Sequence, residues 1–124
     1  MSALTRAVLA FTIVVLLGGT LAIQIMRHPA APPPRMLAWL HGIAALLSYG
    51  VLLVALMGPA RGAATGTQSF GLIAALLFLL AAAIGSAGLA LHLRRQRMPG
   101  IAIGIHASVA IFGYVILAVY LLAG

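Results

Sequence analysis

The chain contains no cysteine, aspartate, glutamate or lysine among its 124 residues. Without cysteine it forms no disulfide bond, no thiolate metal site and no iron–sulfur cluster. Without carboxylates it lacks the intramembrane acid that a proton-coupled exporter of this size would use. It also has no phosphate-binding loop and no set of nucleophile, base and acid. We therefore expect a non-catalytic protein rather than an enzyme.

What the chain does contain is long apolar runs. Hydrophobic residues make up 65% of it, and a membrane-spanning helix needs about 20 consecutive apolar residues. Four stretches of that length are present: Leu4–Met26, Met36–Met57, Phe70–Leu93 and Gly100–Leu122. The short connections between them have the proline, glycine and arginine content of turns. The pattern predicts an all-α integral membrane protein, a single transmembrane domain folded as an up-down-up-down four-helix bundle.

Arginine supplies the whole formal charge of +7, and its distribution predicts an orientation. Two arginines, Arg6 and Arg61, lie on the side of the termini and the second connection. The other five belong to the first and third connections and the adjoining helix ends: Arg27, Arg35, Arg94, Arg95 and Arg97. The positive-inside rule places those connections in the cytoplasm and both termini outside, in an inner (cytoplasmic) membrane. The lipid bilayer, and not nucleic acid, is the expected partner of these charges.

Two of the four histidines begin a repeated helical pattern. The segment HGIAALLSYGVLLVAL starts at His41, and HASVAIFGYVILAVYL starts at His106. In both, alanine follows after four residues, a small residue after seven and tyrosine after eight, and these offsets lie on one face of a helix. The preceding helices carry the related stretches GTLAIQIMR, from Gly19, and GSAGLALHLR, from Gly85. The sequence therefore predicts two similar halves.

The predicted topology brings all four histidines to the arginine-rich side. His28 follows the first helix, and His92 lies at the end of the third. At about 1.5 Å per residue, His41 and His106 lie about 7–9 Å below the membrane interface. Since the second and fourth helices are diagonal neighbours in a square bundle, we expect these two side chains to face each other across its axis. Ionisable groups inside a bilayer are usually functional, and imidazole binds iron, copper and zinc.

Two imidazoles from diagonal helices are typical of a six-coordinate haem that transfers electrons. Because the chain has no CxxCH motif, we expect one non-covalent haem b, with His41 and His106 as its iron ligands. Tyr49 and Tyr114 lie about 12 Å deeper on the same faces and are expected to bound the pocket floor or hydrogen-bond across the bundle. The anionic propionates would meet a group of arginines at the membrane surface: Arg27, Arg35, Arg94 and Arg95.

The arrangement resembles the small four-helix b-type membrane cytochromes, the cytochrome b561-like families. The resemblance covers the four-helix layout and one histidine on each of the second and fourth helices, His41 and His106. It implies a subunit that passes electrons within a respiratory or photosynthetic membrane complex, with a quinone as a further candidate partner. Many members hold two haems near opposite membrane faces. Because every histidine here is on one side, the resemblance implies a single haem.

Two other functions are compatible with the same residues. His41, His92 and His106 are the three nitrogen ligands that a copper or zinc site would use, with a methionine nearby as a sulfur ligand. Alternatively, the chain is a structural accessory subunit without a cofactor. Its lack of soluble domains then suits packing against a larger membrane complex or within a homo-oligomer.

Overall fold

A computed structural model of the protein describes residues 1–123. Within those residues it contains no strand and four α helices: α1 (Ala3–Arg27), α2 (Arg35–Leu56), α3 (Phe70–Leu93) and α4 (Gly100–Leu122). The bounds agree with the predicted ones to within one residue at every end. All four helices are long and apolar enough to cross a membrane. The predicted all-α four-helix bundle is confirmed, and the chain is a multi-pass membrane protein.

Local residues explain where the helices begin and end. The Ser2 hydroxyl accepts a hydrogen bond from the backbone N–H of Thr5 at 3.0 Å and caps α1. Pro34 and Pro99 stand immediately before α2 and α4, since proline lacks the N–H that would extend a helix through it from the preceding turn. After α3, Arg95 adopts the left-handed conformation, with φ of 58°, and this ends the helix.

The helices stand at the corners of a square. The two closest pairs are α1 with α2 and α3 with α4, and the pairs meet through α1 with α4 and α2 with α3. Along the α1–α3 diagonal, the rings of Phe11 and Phe78 stack with their centroids 3.8 Å apart and their planes 7° from parallel. The other diagonal, between α2 and α4, has no such aromatic stack within residues 1–123 and contains the two histidines described below.

The two helical hairpins are repeats of one another. Each residue of α1 corresponds to the residue 67 positions later in α3, as Ala7 does to Ala74. Each residue of α2 corresponds to the residue 65 positions later in α4, as Leu52 does to Leu117. Burial follows this correspondence, because buried residues recur at equivalent positions: Phe11 and Phe78, Val14 and Ala81, Ser48 and Gly113. The bundle therefore has an approximate two-fold axis along its length.

Burial is confined to one end of the bundle. Every buried residue in the described part of the chain lies in the half nearer the termini, which we name the closed half: residues 3–14, 48–56, 70–81 and 113–122. The open half consists of residues 15–27, 35–47, 82–93 and 100–112, and its least exposed side chains are only half-buried. The helices thus bury side chains fully at one end, whereas at the arginine-rich end every side chain keeps partial exposure.

Candidate functional site

His41 and His106 occupy equivalent positions at the floor of the open half. Nδ1 of His41 hydrogen-bonds the carbonyl oxygen of Val14 at 3.1 Å, and Nδ1 of His106 hydrogen-bonds that of Ala81 at 2.8 Å. Because a carbonyl only accepts, each Nδ1 carries the proton and each Nε2 carries the lone pair. Val14 and Ala81 are the last buried residues of α1 and α3. The two rings are therefore anchored where the closed half ends.

A glycine lies beneath each imidazole. A Cβ at Gly18 would stand 2.8 Å from Cε1 of His41, and a Cβ at Gly85 would stand 3.1 Å from Cε1 of His106. Gly18 and Gly85 are thus the equivalent positions, whereas the alignment of Gly19 with Gly85 is wrong by one residue. A Cβ at Gly19 would meet no atom within 4 Å. The sequence alone does not show which of the two neighbouring glycines is packed against the histidine. The structure shows that it is Gly18.

The structure brings the two rings together across the α2–α4 diagonal. Their centroids are 6.1 Å apart, and their planes are inclined at 79°. A metal held linearly between two imidazole nitrogens, with bonds of about 2.0–2.1 Å, places the ring centres roughly 6 Å apart. Perpendicular ring planes are compatible with such a unit, because each ring rotates freely about its own metal–nitrogen bond. The distance between the ring centres is therefore close to that of two imidazoles that share one ion.

The other two histidines do not join this pair. Among residues 1–123, no group of three or more histidine, cysteine, aspartate or glutamate side chains that could hold a metal is found. His92 is two helical turns beyond Gly85, and its Nε2 is buried without a hydrogen-bond partner in the described chain. His28 is exposed and lines a cavity of about 230 Å³ at the proline-rich turn. The three-histidine copper or zinc site is therefore not assembled.

The arginines form an exposed cationic rim at the mouth of the open half. The four predicted propionate partners are exposed at this end: Arg27, Arg35, Arg94 and Arg95. Arg97 has a different role that the sequence analysis did not identify. Its guanidinium donates hydrogen bonds to the carbonyl oxygens of Pro29 and, at 2.6 Å, of Ala30. It thereby ties the third connection to the first and fixes the edge of the rim.

The two tyrosines belong to the closed half, below the histidines. Thr12 donates its only hydroxyl proton to the carbonyl oxygen of Val8 at 2.9 Å. The 2.8 Å contact between Thr12 and Tyr114 is therefore a hydrogen bond donated by the phenol. Tyr49 has the equivalent position in α2, but the residue equivalent to Thr12 is Leu79, which offers no acceptor. Tyr114 thus hydrogen-bonds across the bundle, whereas Tyr49 packs against the hydrophobic core.

Fold and site together define a multi-pass membrane four-helix bundle with a histidine pair between diagonal helices. Comparison with family models, with curated proteins and with solved structures finds no match.

Proposed function

We propose that the protein is a b-type membrane cytochrome, or haem-binding subunit, that passes single electrons within a respiratory or photosynthetic membrane complex. It would bind one non-covalent haem b through His41 and His106. The observation that carries the proposal is the pair of imidazoles 6.1 Å apart at the floor of the open half, each with Nδ1 engaged by a backbone carbonyl. Both Nε2 lone pairs would then be available to hold a haem iron. A haem iron held by two histidines supplies reversible one-electron exchange.

The chain's own residues fit such a group in three ways. The carbonyls of Val14 and Ala81 hold the imidazole rings in one orientation and, by accepting the Nδ1 proton, raise the basicity of each Nε2. Gly18 and Gly85 let the two imidazoles lie against the backbones of α1 and α3, which sets the position of both candidate ligands. The arginine rim supplies cations for the propionates: Arg27, Arg35, Arg94 and Arg95. The closed half excludes water from the floor of the site.

The proposal extends to location and partners. The arginine-rich end would face the cytoplasm of an inner membrane, because positively charged connections are retained there. The haem would then lie near the cytoplasmic surface, and electrons would be exchanged with a larger membrane redox complex or with a quinone. The chain has only short connections, the longest joining Leu56 to Phe70. An electron-transfer role therefore requires donor and acceptor sites on other molecules.

The test is an optical spectrum of the purified, detergent-solubilised chain after haem-replete expression, first oxidised and then reduced with dithionite. We expect a Soret band whose reduced form is typical of bis-histidine haem b. His41→Ala and His106→Ala should each remove the bis-histidine spectrum and lower haem occupancy, because each variant loses one of the two iron ligands. His92→Ala and His28→Ala are the matched controls and should retain haem at the wild-type ratio.

Any one of three results would overturn the proposal. The first is the absence of a Soret band in the wild-type chain, and the second is copper or zinc without iron in elemental analysis. The third is equal haem binding by all four histidine variants. Copper or zinc would favour a metal site formed by the same pair. Neither haem nor metal, together with stoichiometric co-purification with a larger complex, would favour a structural accessory subunit.

A further inference from the structure

An open groove runs along the outer surface of the closed half, between α1 and α2. Its volume is about 610 Å³, and it stays widely open to the surroundings. One face of each helix lines it: Ala3, Arg6 and Ala10 from α1, and Leu47, Gly50, Val51 and Val54 from α2. Small residues create the depression, and the guanidinium of Arg6 is its one charged group. The groove lies at the end of the molecule opposite the arginine rim.

Arg6 has no anionic partner among residues 1–123. It is exposed, its side chain makes no hydrogen bond within residues 1–123, and the sequence has no aspartate or glutamate to pair with it. It also lies in the first turns of α1, where the helix dipole adds positive potential. A guanidinium in this position is suited to a phosphate group, because its planar donors bind phosphate oxygens in pairs.

The second hairpin provides an internal comparison, since its equivalent positions carry different residues. Arg6 corresponds to Ile73, so the fold does not require a cation there. The small residues are replaced by larger ones in the same comparison: Ala3 by Phe70, Ala10 by Leu77 and Gly50 by Val115. The equivalent buried positions are largely kept between the two halves, whereas these lipid-facing positions differ. The cation and the small residues beside it are therefore specific to the first hairpin.

We propose that this groove binds one anionic phospholipid, with its phosphate on the Arg6 guanidinium and an acyl chain lying between α1 and α2. The charge of Arg6 selects an anionic headgroup. The apolar lining, in which the small residues Ala10 and Gly50 leave a depression, accommodates the acyl chain. This site is independent of the histidine pair, which lies in the open half. Its failure and the failure of haem binding are therefore separate results.

Native mass spectrometry of the full chain tests the proposal. The protein is reconstituted into vesicles of equimolar phosphatidylglycerol and phosphatidylcholine and then released in mild detergent. We expect wild type to retain one phosphatidylglycerol in preference to phosphatidylcholine. Arg6→Gln should reduce that retention about fivefold, the effect of one arginine on an anionic lipid. The double variant Ala10→Leu with Gly50→Val should reduce it similarly, by filling the groove with the residues of the second hairpin.

Three controls separate a lipid site from general loss of charge or fold. Arg6→Lys keeps the cation and should retain most of the lipid, and Arg97→Gln removes the same charge at the opposite end and should retain all of it. A Cβ at Gly50 meets no atom within 4 Å, so the filled variant should keep the wild-type helical content by circular dichroism. Equal retention in every variant would overturn the proposal. So would an adduct with the mass of a quinone or a second chain that disappears in the filled variant.

Discussion

Each histidine of the site depends on two features of the neighbouring helix, a glycine and a carbonyl. Gly18 allows the ring of His41 to lie directly on the backbone of α1, and Val14, one turn earlier, receives the Nδ1 proton. Gly85 and Ala81 do the same for His106. The position of each imidazole is therefore set by a glycine, and the orientation of its Nε2 is set by a backbone carbonyl oxygen.

Replacing these glycines should disturb the site in proportion to the crowding. In Gly18→Ala, the new Cβ would lie 2.8 Å from Cε1 of His41, so the ring must shift and the Val14 hydrogen bond must lengthen. We expect a loss of about 1 kcal/mol in unfolding free energy, about the value of one interhelical hydrogen bond in a membrane. Haem occupancy should fall as well. Gly85→Ala, at 3.1 Å, should have a smaller effect.

Gly19→Ala is the matched control, because its Cβ meets nothing within 4 Å. It should leave thermal unfolding in detergent and the optical spectrum unchanged. Equal effects of Gly18→Ala and Gly19→Ala on both measurements would show that the histidine does not rest on Gly18.

Among the helices, the two diagonals have different roles. The stack of Phe11 on Phe78 joins α1 to α3 in the closed half, which contains every buried residue of the described chain. The histidine pair lies on the α2–α4 diagonal, at the level where that packing ends. The packing of the closed half thus sets the separation of α2 and α4 at the level of the histidine pair.

Truncating the stack should destabilise the whole bundle. Phe11→Ala should lower the unfolding free energy by about 1–2 kcal/mol, less than the about 3–5 kcal/mol of water-soluble cores, because the separated helices already lie in an apolar solvent. Phe78→Ala should cost a similar amount, and the double variant should cost less than the sum, since the two rings share one contact. Unfolding by denaturing detergent, followed by circular dichroism, measures these losses.

The same substitution at Phe112 provides the comparison, because that ring is 65% exposed to the surroundings of α4. Phe112→Ala should change the unfolding free energy by less than about 0.5 kcal/mol. A loss as large as that of Phe11→Ala would show that the Phe11–Phe78 stack contributes no more than a ring exposed on the surface of the bundle.

For the whole molecule, the sequence predicted the features that depend on the lengths of the apolar segments and on the order of the helices. Apolar run lengths predicted the helix bounds, and up-down connectivity predicted that His41 and His106 face each other. The register between the halves was wrong by one residue, because α1 and α3 are apolar on all sides and periodicity does not distinguish Gly18 from Gly19. The division into closed and open halves was also not predictable, since it results from packing of residues such as Leu52 and Leu117 that resemble their exposed neighbours by type.

The orientation of the molecule decides which compartment the histidine pair serves. The first and third connections lie together at one end, tied by Arg97, so both should be on the same side of the membrane.

The chain has no cysteine, and single introduced cysteines therefore report their position without background labelling. We expect Ala30→Cys and Gln96→Cys to react with an impermeant maleimide only in inside-out vesicles, because five of the seven arginines should hold this end in the cytoplasm. Ala63→Cys, in the second connection, should react only in right-side-out vesicles. The reverse pattern would place the histidine pair near the external surface and require electron partners on that side, whereas labelling of all three sites from one side would be incompatible with the bundle itself.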